Sequence, residues 1–236
     1  MRLLLTRPEL DAQRTATVLR AQGHDVIIAP LLRIEPVTDA QIGAGPWVAI
    51  LITSANAAPA VAAHARVTQW RALPVFAVGR RSADAMAAAG FADVTSADGN
   101  VSELARLVAA RLRPAARLLY LAGEDRSGDL VGDLRARGFA VETAVIYRAV
   151  AATSLPTAAA QALTGGIDGV LHFSRRSAEV FIDAARAAGV LESALQAAHF
   201  CLSAPIAEPL AQAGAADIRV AERPNEALLL ALIDAA

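Results

Sequence analysis

The residues of this chain that could do chemistry stand directly after short apolar runs. Clusters of hydroxyl, amide and arginine side chains follow five such runs, at residues 6–7, 53–56, 79–82, 123–127 and 174–177. In an open parallel sheet these are the points where strands end and helices begin, and the free N–H groups of the helix starts bind ligands there. Ordinary helix capping is the alternative role of each serine or threonine taken alone.

Arginine pairs at two of these points favour an anionic ligand. Arg80-Arg81 and Arg175-Arg176 begin predicted helices, where the helix dipole disfavours a positive charge. A positive charge is tolerated at such a position if an anionic ligand binds there. Together with Arg7 and Arg126, the pairs suggest a ligand that carries several carboxylates or phosphates.

Composition excludes several kinds of chemistry. All 22 cationic residues are arginine, so a Schiff-base lysine, a pyridoxal-phosphate enzyme and a Walker-A phosphate lysine are ruled out. The single cysteine, Cys201, cannot form an intramolecular disulfide, and the four histidines lack the spacing of metal ligands. The sequence shows neither a serine–histidine–acid triad nor a GxGxxG fingerprint. An enzyme of this composition would depend on backbone groups and shape more than on a reactive side chain.

Charge and aromatic content indicate the partners and the compartment. A net charge of −1, no basic tract and only 4% aromatic residues make nucleic acid an unsuitable partner. No apolar stretch is long and charge-free enough to span a bilayer, and the apolar run at the start breaks at Arg7-Pro8, too early for a signal peptide. We therefore expect a cytoplasmic protein without a membrane partner. We further expect a monomer that binds a small molecule, although these features do not bear on the oligomeric state.

The elements that would position the polar clusters alternate along the chain. Short apolar runs of strand length alternate with alanine-rich segments of helical periodicity. Uninterrupted hydrophobicity is typical of strands buried on both faces, so the pattern predicts an α/β fold with parallel sheets and helices on both sides. The predicted strands are 3–6, 26–30, 49–53, 75–79, 118–122, 141–147, 169–173 and 200–204.

The sequence is also repeated. Residues 1–37 are echoed by 116–150, with Gly23 and Gly138 standing 115 positions apart. The remaining matches are 47–61 with 168–181, 73–90 with 198–214 and 100–112 with 225–236. So long a period indicates a duplicated domain rather than a solenoid. Two similar α/β units facing one another would make a cleft, which is the usual place for a binding site.

Two domain divisions are compatible with this repeat. One cuts the chain near residue 115, between the copies. In the other, the extended segments 31–37 and 145–152 run side by side as a two-stranded link, so that the chain leaves the first domain at about 35 and returns near 150. The residues alone do not decide between these divisions.

In their order and spacing, the motifs resemble those of the uroporphyrinogen-III synthase family over essentially the whole chain. The similar segments are LLLTRP near the start, ILITSANAA (50–58), AVGRRSADAMAAAG (77–90), LLYLAGEDRSGDLVGDLRARGF (118–139), VIYR (145–148) and VLHFSRRSAEVF (170–181).

This resemblance implies a fold and an activity. The fold is two flavodoxin-like domains with parallel sheets joined by a two-stranded β link, with domain 1 formed by residues 1–35 and 150–236 and domain 2 by residues 38–147. The activity is that of a lyase of tetrapyrrole biosynthesis, which cyclises hydroxymethylbilane to uroporphyrinogen III with loss of water and inversion of ring D, without a cofactor. The eight carboxylates of the linear substrate suit helix N-termini and a few arginines.

The resemblance and the strand-end pattern together define the candidate site. Tyr147, in the VIYR segment, matches a tyrosine of the family and is the candidate catalytic residue, assisting departure of the substrate hydroxyl by hydrogen bonding. Its alternative role is that of a packing residue at the link. The candidate substrate-binding residues are Arg7, Ser54, Asn56, Gly79, Arg80, Ser82, Gly123, Arg126, Ser174, Ser203 and Ala204; no metal ligand is among the candidates.

One stretch departs from the family pattern. The family commonly has a glycine followed three residues later by threonine, and here that stretch reads Ser203-Ala204-Pro205-Ile206. Ile206 cannot donate a hydroxyl hydrogen bond. Binding from that side must use the backbone amides of Ser203, Ala204 or Ile206, or be weaker.

Two other functions remain open. A non-catalytic ligand-binding module on the same scaffold, such as a degenerate tetrapyrrole sensor, is suggested by Ile206. A two-domain phosphosugar or nucleotide enzyme is suggested only by analogy of fold. The missing glycine-rich fingerprint and the missing phosphate lysine count against the second of these.

Overall fold

A computed structural model of the chain describes residues 1–126 and 128–234 and divides into two compact units. Unit 1 consists of Met1–Arg33 and Val150–Ala236, and unit 2 consists of Ile34–Ala149. The chain therefore leaves unit 1 after Arg33, builds unit 2 without interruption, and returns to unit 1 at Val150.

The described elements alternate between strand and helix through most of the chain. The strands are β1 (Arg2–Leu5), β2 (Asp25–Ile28), β3 (Leu32–Pro36), β4 (Ala49–Ile52), β5 (Val75–Ala77), β6 (Val94–Ser96), β7 (Arg117–Gly123), β8 (Ala140–Ala151), β9 (Gly169–His172), β10 (Ala198–Cys201) and β11 (Ile218–Val220). The helices are α1 (Glu9–Ala21), α2 (Ala57–Ala63), α3 (Val67–Trp70), α4 (Arg80–Ala88), α5 (Val101–Arg111), α6 (Leu130–Ala136), α7 (Thr157–Thr164), α8 (Arg175–Ala187), α9 (Leu191–Gln196), α10 (Ala204–Ala213) and α11 (Glu226–Asp234).

Unit 1 is built on a five-stranded parallel sheet with the order β11-β10-β9-β1-β2. The consecutive residues Leu3, Leu4 and Leu5 are all fully buried. Leu4 packs with Phe181 in one apolar cluster, while Leu3 and Leu5 pack with Phe200 in another. Both faces of the sheet are thus covered, which explains the uninterrupted apolar runs.

Unit 2 is built on a six-stranded sheet with the order β3-β8-β7-β4-β5-β6. The pairings of β4 with β5 and β7, of β5 with β6, and of β7 with β8 are parallel. Leu119 and Leu121 belong to the apolar cluster of one face, and Leu118 and Tyr120 belong to the cluster of the other. The predicted α/β fold with parallel sheets and helices on both sides is confirmed.

The two sheets share one spatial strand order in spite of their different chain order. Unit 1 has the flavodoxin-like order 2-1-3-4-5, counted from β1 through β2, β9, β10 and β11. The strands of unit 2 other than β3 show that order if counting begins at β7 and continues through β8, β4, β5 and β6. Registers agree as well, since Leu5 pairs with Ile28 and Tyr120 with Thr143. Unit 2 is therefore a circularly permuted copy of unit 1.

This equivalence relates individual residues. Because β1 pairs with β9 as β7 pairs with β4, Leu171 of unit 1 corresponds to Leu51 of unit 2, and positions after them correspond in turn. The equivalent pairs used below, unit 2 first, are Tyr120 and Leu5, Ile52 and His172, Thr53 and Phe173, Ser54 and Ser174, Val75 and His199, Gly79 and Ser203, and Ser82 and Ile206.

The strands end earlier than several apolar runs. The run 200–204 predicts a strand, but the strand is Ala198–Cys201, and α10 begins at Ala204 after Ser203. Ser203 precedes α10 and has φ −160° and ψ 163°, which are extended angles like those of a strand. The hydrophobic pattern therefore does not show that the strand has already ended at Cys201. The strands β6 and β11 escape prediction from the sequence, because three residues, none of them buried, are too short to show a period.

The chain passes between the units within the neighbouring strands β3 and β8. The Val37 N–H donates to the Ile146 carbonyl at 2.8 Å, and the Ala152 N–H donates to the Leu31 carbonyl at 2.9 Å. One strand therefore runs forward while the other runs backward, which is an antiparallel pairing.

Two searches of the described ranges, 1–126 and 128–234, gave negative results. No helix there is long and apolar enough to cross a membrane. No three histidine, cysteine, aspartate or glutamate side chains there are grouped as metal ligands.

Two histidines form a pair inside unit 1. His172 on β9 and His199 on β10 are fully buried, and Nε2 of His172 lies 3.0 Å from Nδ1 of His199. The ring of Phe181 meets both imidazoles edge to face. Within the described residues the outer nitrogens of the pair, Nδ1 of His172 and Nε2 of His199, have no hydrogen-bond partner.

Burial keeps this pair uncharged. It lowers the pKa of His199 from 6.5 to about 4, although the Ala194 backbone and Asp217 counteract the shift. It lowers the pKa of His172 well below 6.5, and the neighbouring His199 lowers it further. Both imidazoles are therefore neutral in the folded protein at neutral pH.

We expect unit 1 to lose stability on acidification. Because the folded pKa of His199 lies below the unfolded one, its contribution is complete above pH 6.5 and is lost between pH 6.5 and about 4, as the unfolded chain takes up protons. A shift of this size corresponds to about 3 kcal/mol in the free energy of unfolding. Urea midpoints measured from pH 7 down to pH 4 check this expectation.

The control for this measurement copies unit 2. The double substitution His172→Ile and His199→Val installs the residues found at the equivalent positions, Ile52 and Val75. It should remove most of the pH dependence in this window. An equal fall in the double variant would assign the acid sensitivity to other groups.

Candidate functional site

Each sheet has one point where the strand order reverses, and ligands bind at the carboxyl ends of the strands on either side of such a point. In unit 1 it lies between β1 and β9, and in unit 2 between β7 and β4. Residues 6–7 and 173–174 follow the strands in unit 1, and residues 123–124 and 53–54 stand at the strand ends in unit 2. The polar clusters found in the sequence thus lie at both reversal points.

In unit 2 the sheet brings Tyr147 against Gly123. The two residues are register partners on β8 and β7, after a register shift that begins beyond the pair of Ala122 and Val145. Because of this shift, the consecutive residues Ile146 and Tyr147 both pack in the apolar cluster of one face. The irregularity therefore turns the phenol of Tyr147 toward the strand end of Gly123.

Gly123 leaves the space that the phenol occupies. A Cβ atom built at Gly123 would stand 2.6 Å from Cζ of Tyr147 and 2.8 Å from its hydroxyl oxygen. Tyr147 is 8% exposed, so its ring is packed while the hydroxyl reaches the edge of the sheet. The close approach explains why a glycine ends β7.

The environment of Tyr147 favours the protonated phenol. Burial raises its pKa above 10, and the nearby Tyr120 and Asp125 raise it further. Hydrogen bonding with the Ser54 side chain and the Gly123 backbone partly offsets the rise. At neutral pH Tyr147 is therefore a hydrogen-bond donor rather than a base. Tyr147, Ser54 and Gly123, three of the predicted site residues, come together here.

A second phenol lies nearby that the sequence analysis missed. The hydroxyl of Tyr120 is 2.7 Å from Oγ1 of Thr53, and Tyr120 is 3% exposed. Burial raises its pKa, while the Thr53 hydrogen bond and the charge of Arg126 lower it. One signal was available in the sequence, because Tyr120 and Tyr147 are the only two tyrosines of the chain.

The remaining candidates at this edge are more exposed. Arg126 is exposed in the turn after β7, close enough to Tyr120 to lower the pKa of that phenol. Asn56 is the N-cap residue of the short helix α2, where its side chain makes no capping bond, and its N–H donates to Oγ of Ser54 at 3.2 Å. Ser127, the next residue of the sequence, lies outside the described residues.

Gly79, Arg80, Asp98 and Gly99 line an open hollow of about 350 Å³. A Cβ atom at Gly79 would meet nothing within 4 Å, so the space above the start of α4 is free. Ser82, one turn further on, is buried at 5% exposure and faces the protein rather than this hollow.

A carboxylate does lie at the start of α4, but it belongs to Asp98 of the protein itself. The Arg80 guanidinium binds this carboxylate through two nitrogens, with Nε and Nη2 donating at 3.1 to 3.2 Å. The Arg80 hydrogen bond is the main reason why the pKa of Asp98 is lowered. Arg175 at the start of α8 does the same with Glu179 and Glu208. The sequence argument foresaw an anion at these helix starts without foreseeing an internal one.

In unit 1 Ser174 is a capping residue. Its Oγ accepts from the Ser177 N–H at 3.1 Å and lies 2.8 Å from the Ser177 hydroxyl. Both roles considered for this serine, capping and placement at the reversal point, are compatible with that position. Its equivalent, Ser54, accepts from a backbone N–H at the same place in unit 2.

Arg7 is held inside unit 1. One Nη1 atom lies 3.0 Å from Thr15 and 3.0 Å from Glu226, and the guanidinium carbon lies 4.0 Å from the ring centroid of Phe173. The Arg7 side chain is only 11% exposed, and it links α1 with the first turn of α11. Arg7 is thus already paired with carboxylates of its own unit.

The start of α10 offers fewer donors than expected. Ser203 makes no side-chain cap and Ala204 is exposed, so both are accessible at the edge. The Ile206 N–H, however, already donates to the Ser203 carbonyl at 3.1 Å, and Pro205 has no N–H. The Ile206 side chain is 6% exposed and packs in the core of unit 1. The expectation that the Ile206 amide could bind substrate needs correction for this reason.

These features define a duplicated α/β protein of the kind that binds a small molecule at the carboxyl edges of its sheets. A family model described as uroporphyrinogen-III synthase HemD matches residues 13–231. The chain belongs to the uroporphyrinogen-III synthase family, whose members are lyases of porphyrin biosynthesis that act on a small-molecule substrate. Comparison with curated protein sequences gives no match.

Two solved structures share the fold. The uroporphyrinogen-III synthetase of Helicobacter pylori 26695 is 17% identical with a TM-score of 0.69, and the match covers 100% of this chain and 99% of that one. A mutant uroporphyrinogen III synthase of the extremely thermophilic bacterium Thermus thermophilus is 16% identical with a TM-score of 0.52, over 100% and 98% of the two chains. At such identities the likeness concerns the fold.

The contact of Gly123 with Tyr147 yields a test of the site. Gly123→Ala should displace the phenol, because the new Cβ would overlap the ring, and should lower kcat and cost about 1–3 kcal/mol of stability. Steady-state kinetics and urea unfolding check both effects. Gly79→Ala is the matched control, since a Cβ there meets nothing within 4 Å; it should keep the unfolding midpoint. An active, fully stable Gly123→Ala protein would show that the phenol needs no fixed place.

Proposed function

We propose that this chain converts hydroxymethylbilane into uroporphyrinogen III, with loss of water and inversion of ring D, and that Tyr147 assists the departure of the hydroxyl. The observation that carries the proposal is a buried phenol packed against Gly123 at the reversal point of the unit 2 sheet, in a member of this family. This product would then supply the biosynthetic pathways of heme, sirohaem or cobalamin.

The reaction asks for geometry more than for strong acid or base. The pyrrole nitrogen stabilises the azafulvene cation that remains when hydroxide leaves the hydroxymethyl group. Ring D must then be attacked at its substituted carbon, giving a spiro intermediate that fragments and recloses with the ring inverted. Unaided closure gives the uninverted isomer, so the protein mainly has to hold the chain of pyrroles in one fold.

A protonated phenol suits the first step. The departing hydroxide develops negative charge, and a hydrogen bond from the Tyr147 O–H becomes stronger as that charge grows. Complete proton transfer is unnecessary because the pyrrole nitrogen already drives the bond cleavage. The raised pKa of Tyr147 keeps the donor in place at neutral pH.

The carboxylates of the substrate need partners at the strand ends. We assign this role to the accessible groups of each edge: the hydroxyl of Ser54, the side chains of Asn56, Arg80 and Arg126, and the backbone of Gly79, Ser174, Ser203 and Ala204. Arg7 and Ser82 remain candidates, and their burial suggests that they support the edges from within.

A second candidate function is a ligand-binding module without turnover. The packing of Ile206 in the core of unit 1 favours it, since that position supplies no hydroxyl to a ligand. Normal turnover of hydroxymethylbilane would exclude this alternative, and calorimetric binding without turnover would support it. We further propose that the protein acts as a cytoplasmic monomer without a cofactor; sedimentation analysis tests the oligomeric state.

The isomer of the product tests the proposed activity directly. Incubation with hydroxymethylbilane should give the type III isomer, and Tyr147→Phe should lower kcat about 10- to 100-fold, the effect of losing one hydrogen bond to a charged group. Chromatography of the oxidised products separates the isomers. Type I product alone, at the background rate, would reject the activity, whereas type III product at an unchanged rate in Tyr147→Phe would remove only the role of Tyr147.

Exposed arginines should affect binding and spare stability. Arg80→Ala should raise KM severalfold and leave the unfolding midpoint where it is, because its ion pair with Asp98 is open to solvent. Arg111→Ala is the matched control, since it removes another exposed charge, at the last residue of α5. A lowered midpoint with an unchanged KM would show that Arg80 is structural.

A further inference from the structure

We propose that Tyr120 is a positioning residue of this enzyme, which acts through Thr53 to hold Ser54 against the phenol of Tyr147. The proposal deepens the function given above and rests on it. It begins from two consecutive residues at the end of β4. Oγ1 of Thr53 lies 2.7 Å from the hydroxyl of Tyr120, and Ser54, the next residue, lies close enough to Tyr147 to lower the pKa of that phenol.

The two phenols lie on opposite faces of one sheet. Tyr120 packs with Leu118 and Ala122 in the cluster of one face, and Tyr147 packs with Leu119 and Leu121 in the cluster of the other. Tyr120 therefore packs on the face opposite to Tyr147, although it lies close enough to raise the pKa of that phenol. The strand end that both faces share, at Thr53 and Ser54, joins the two phenols structurally.

Unit 1 shows that the fold does not require this hydroxyl pair. Leu5 stands at the position equivalent to Tyr120, and Phe173 at the position equivalent to Thr53. Leu5 is fully buried in an apolar cluster, and Phe173 packs against that same cluster. A scaffold of this kind is thus stable with two apolar residues here, whereas a buried hydroxyl is costly unless it is bonded. The hydroxyl pair occurs in the unit that contains Tyr147.

The strand end of β4 also needs an anchor. Ser54 accepts the N–H of Asn56 at 3.2 Å, which leaves the Ser54 hydroxyl proton free to turn toward another acceptor. Thr53 is half-buried, and its short bond to Tyr120 ties the last residue before the turn to β7. Gly123 ends β7 against the ring of Tyr147. The ends of β4 and β7, which the bond between Thr53 and Tyr120 ties together, therefore both position the phenol of Tyr147.

Kinetics on single and combined variants test the proposal. Tyr120→Phe and Thr53→Val each remove one end of the bond and keep the shape, and each should lower kcat about fivefold, with KM within about twofold. The double variant should be no worse than either single one, because the two share one bond. Thr53→Ser keeps the hydroxyl and should restore kcat.

The decisive background is Tyr147→Phe. If Tyr120 acts through Tyr147, then Tyr120→Phe should cause no further loss of kcat in that background. An equal loss there, a rise in KM alone, or an unchanged kcat in both single variants would overturn the proposal.

A spectroscopic measurement keeps the test independent of turnover. The chain has two tyrosines, so ring-labelled tyrosine gives two carbon resonances, which Tyr120→Phe and Tyr147→Phe assign. Thr53→Val should shift the resonances of both rings, and Thr95→Val, which removes a hydroxyl from the edge strand β6, should shift neither. A Tyr147 resonance that Thr53→Val leaves in place would overturn the proposal even if the proposed activity were absent.

Discussion

Burial of each sheet on both faces is the constraint on which the rest of this structure depends. The central strands are sealed by apolar clusters above and below, so hydroxyl and charged groups find room only where the strands end. Tyr147 is an example of a residue that spans this boundary. Its ring belongs to the core of unit 2, while its hydroxyl lies beside Gly123 at the edge of the sheet. The chemistry of the protein is thus confined to a line of residues that the core itself positions.

Duplication produced two such edges, and they have since diverged. The strand order is common to both units once unit 2 is counted from β7, yet equivalent positions differ in kind. Unit 2 has the bonded pair of Tyr120 and Thr53, where unit 1 has Leu5 and Phe173. Unit 1 instead holds the ion cluster around Arg7 and, deeper in the sheet, the pair of neutral histidines. The shared scaffold therefore carries different polar groups in its two units.

Much of the fold could be predicted from the sequence, because uninterrupted apolar runs are a direct consequence of two-sided burial. The short strands β6 and β11 could not, since three residues, none of them buried, carry no period. Ser54 and Gly123 could be placed at strand ends, whereas the predicted strand 141–147 ends at Tyr147 and β8 continues to Ala151. The contact of Tyr120 with Thr53 depends on the register of β7 against β4. The register shift that turns Tyr147 is equally invisible, because a local irregularity of pairing has no signature in residue types.

Exposure decides which arginines could serve a polyanionic substrate. The helix-dipole argument treats Arg7, Arg80 and Arg175 alike, yet all three already hold a carboxylate of the protein. An exposed pair such as Arg80 with Asp98 gains little from its attraction, because water screens both charges. Under the proposed function, a substrate carboxylate would replace Asp98 at little net cost. The Arg7 side chain is only 11% exposed while that of its partner Glu226 is 34% exposed, so separating the pair would leave a poorly solvated guanidinium behind. The ion pair of the largely buried Arg7 side chain therefore gives that arginine a structural role, whereas the exposed and weaker ion pair of Arg80 is the reason why we propose Arg80 as a ligand-binding residue.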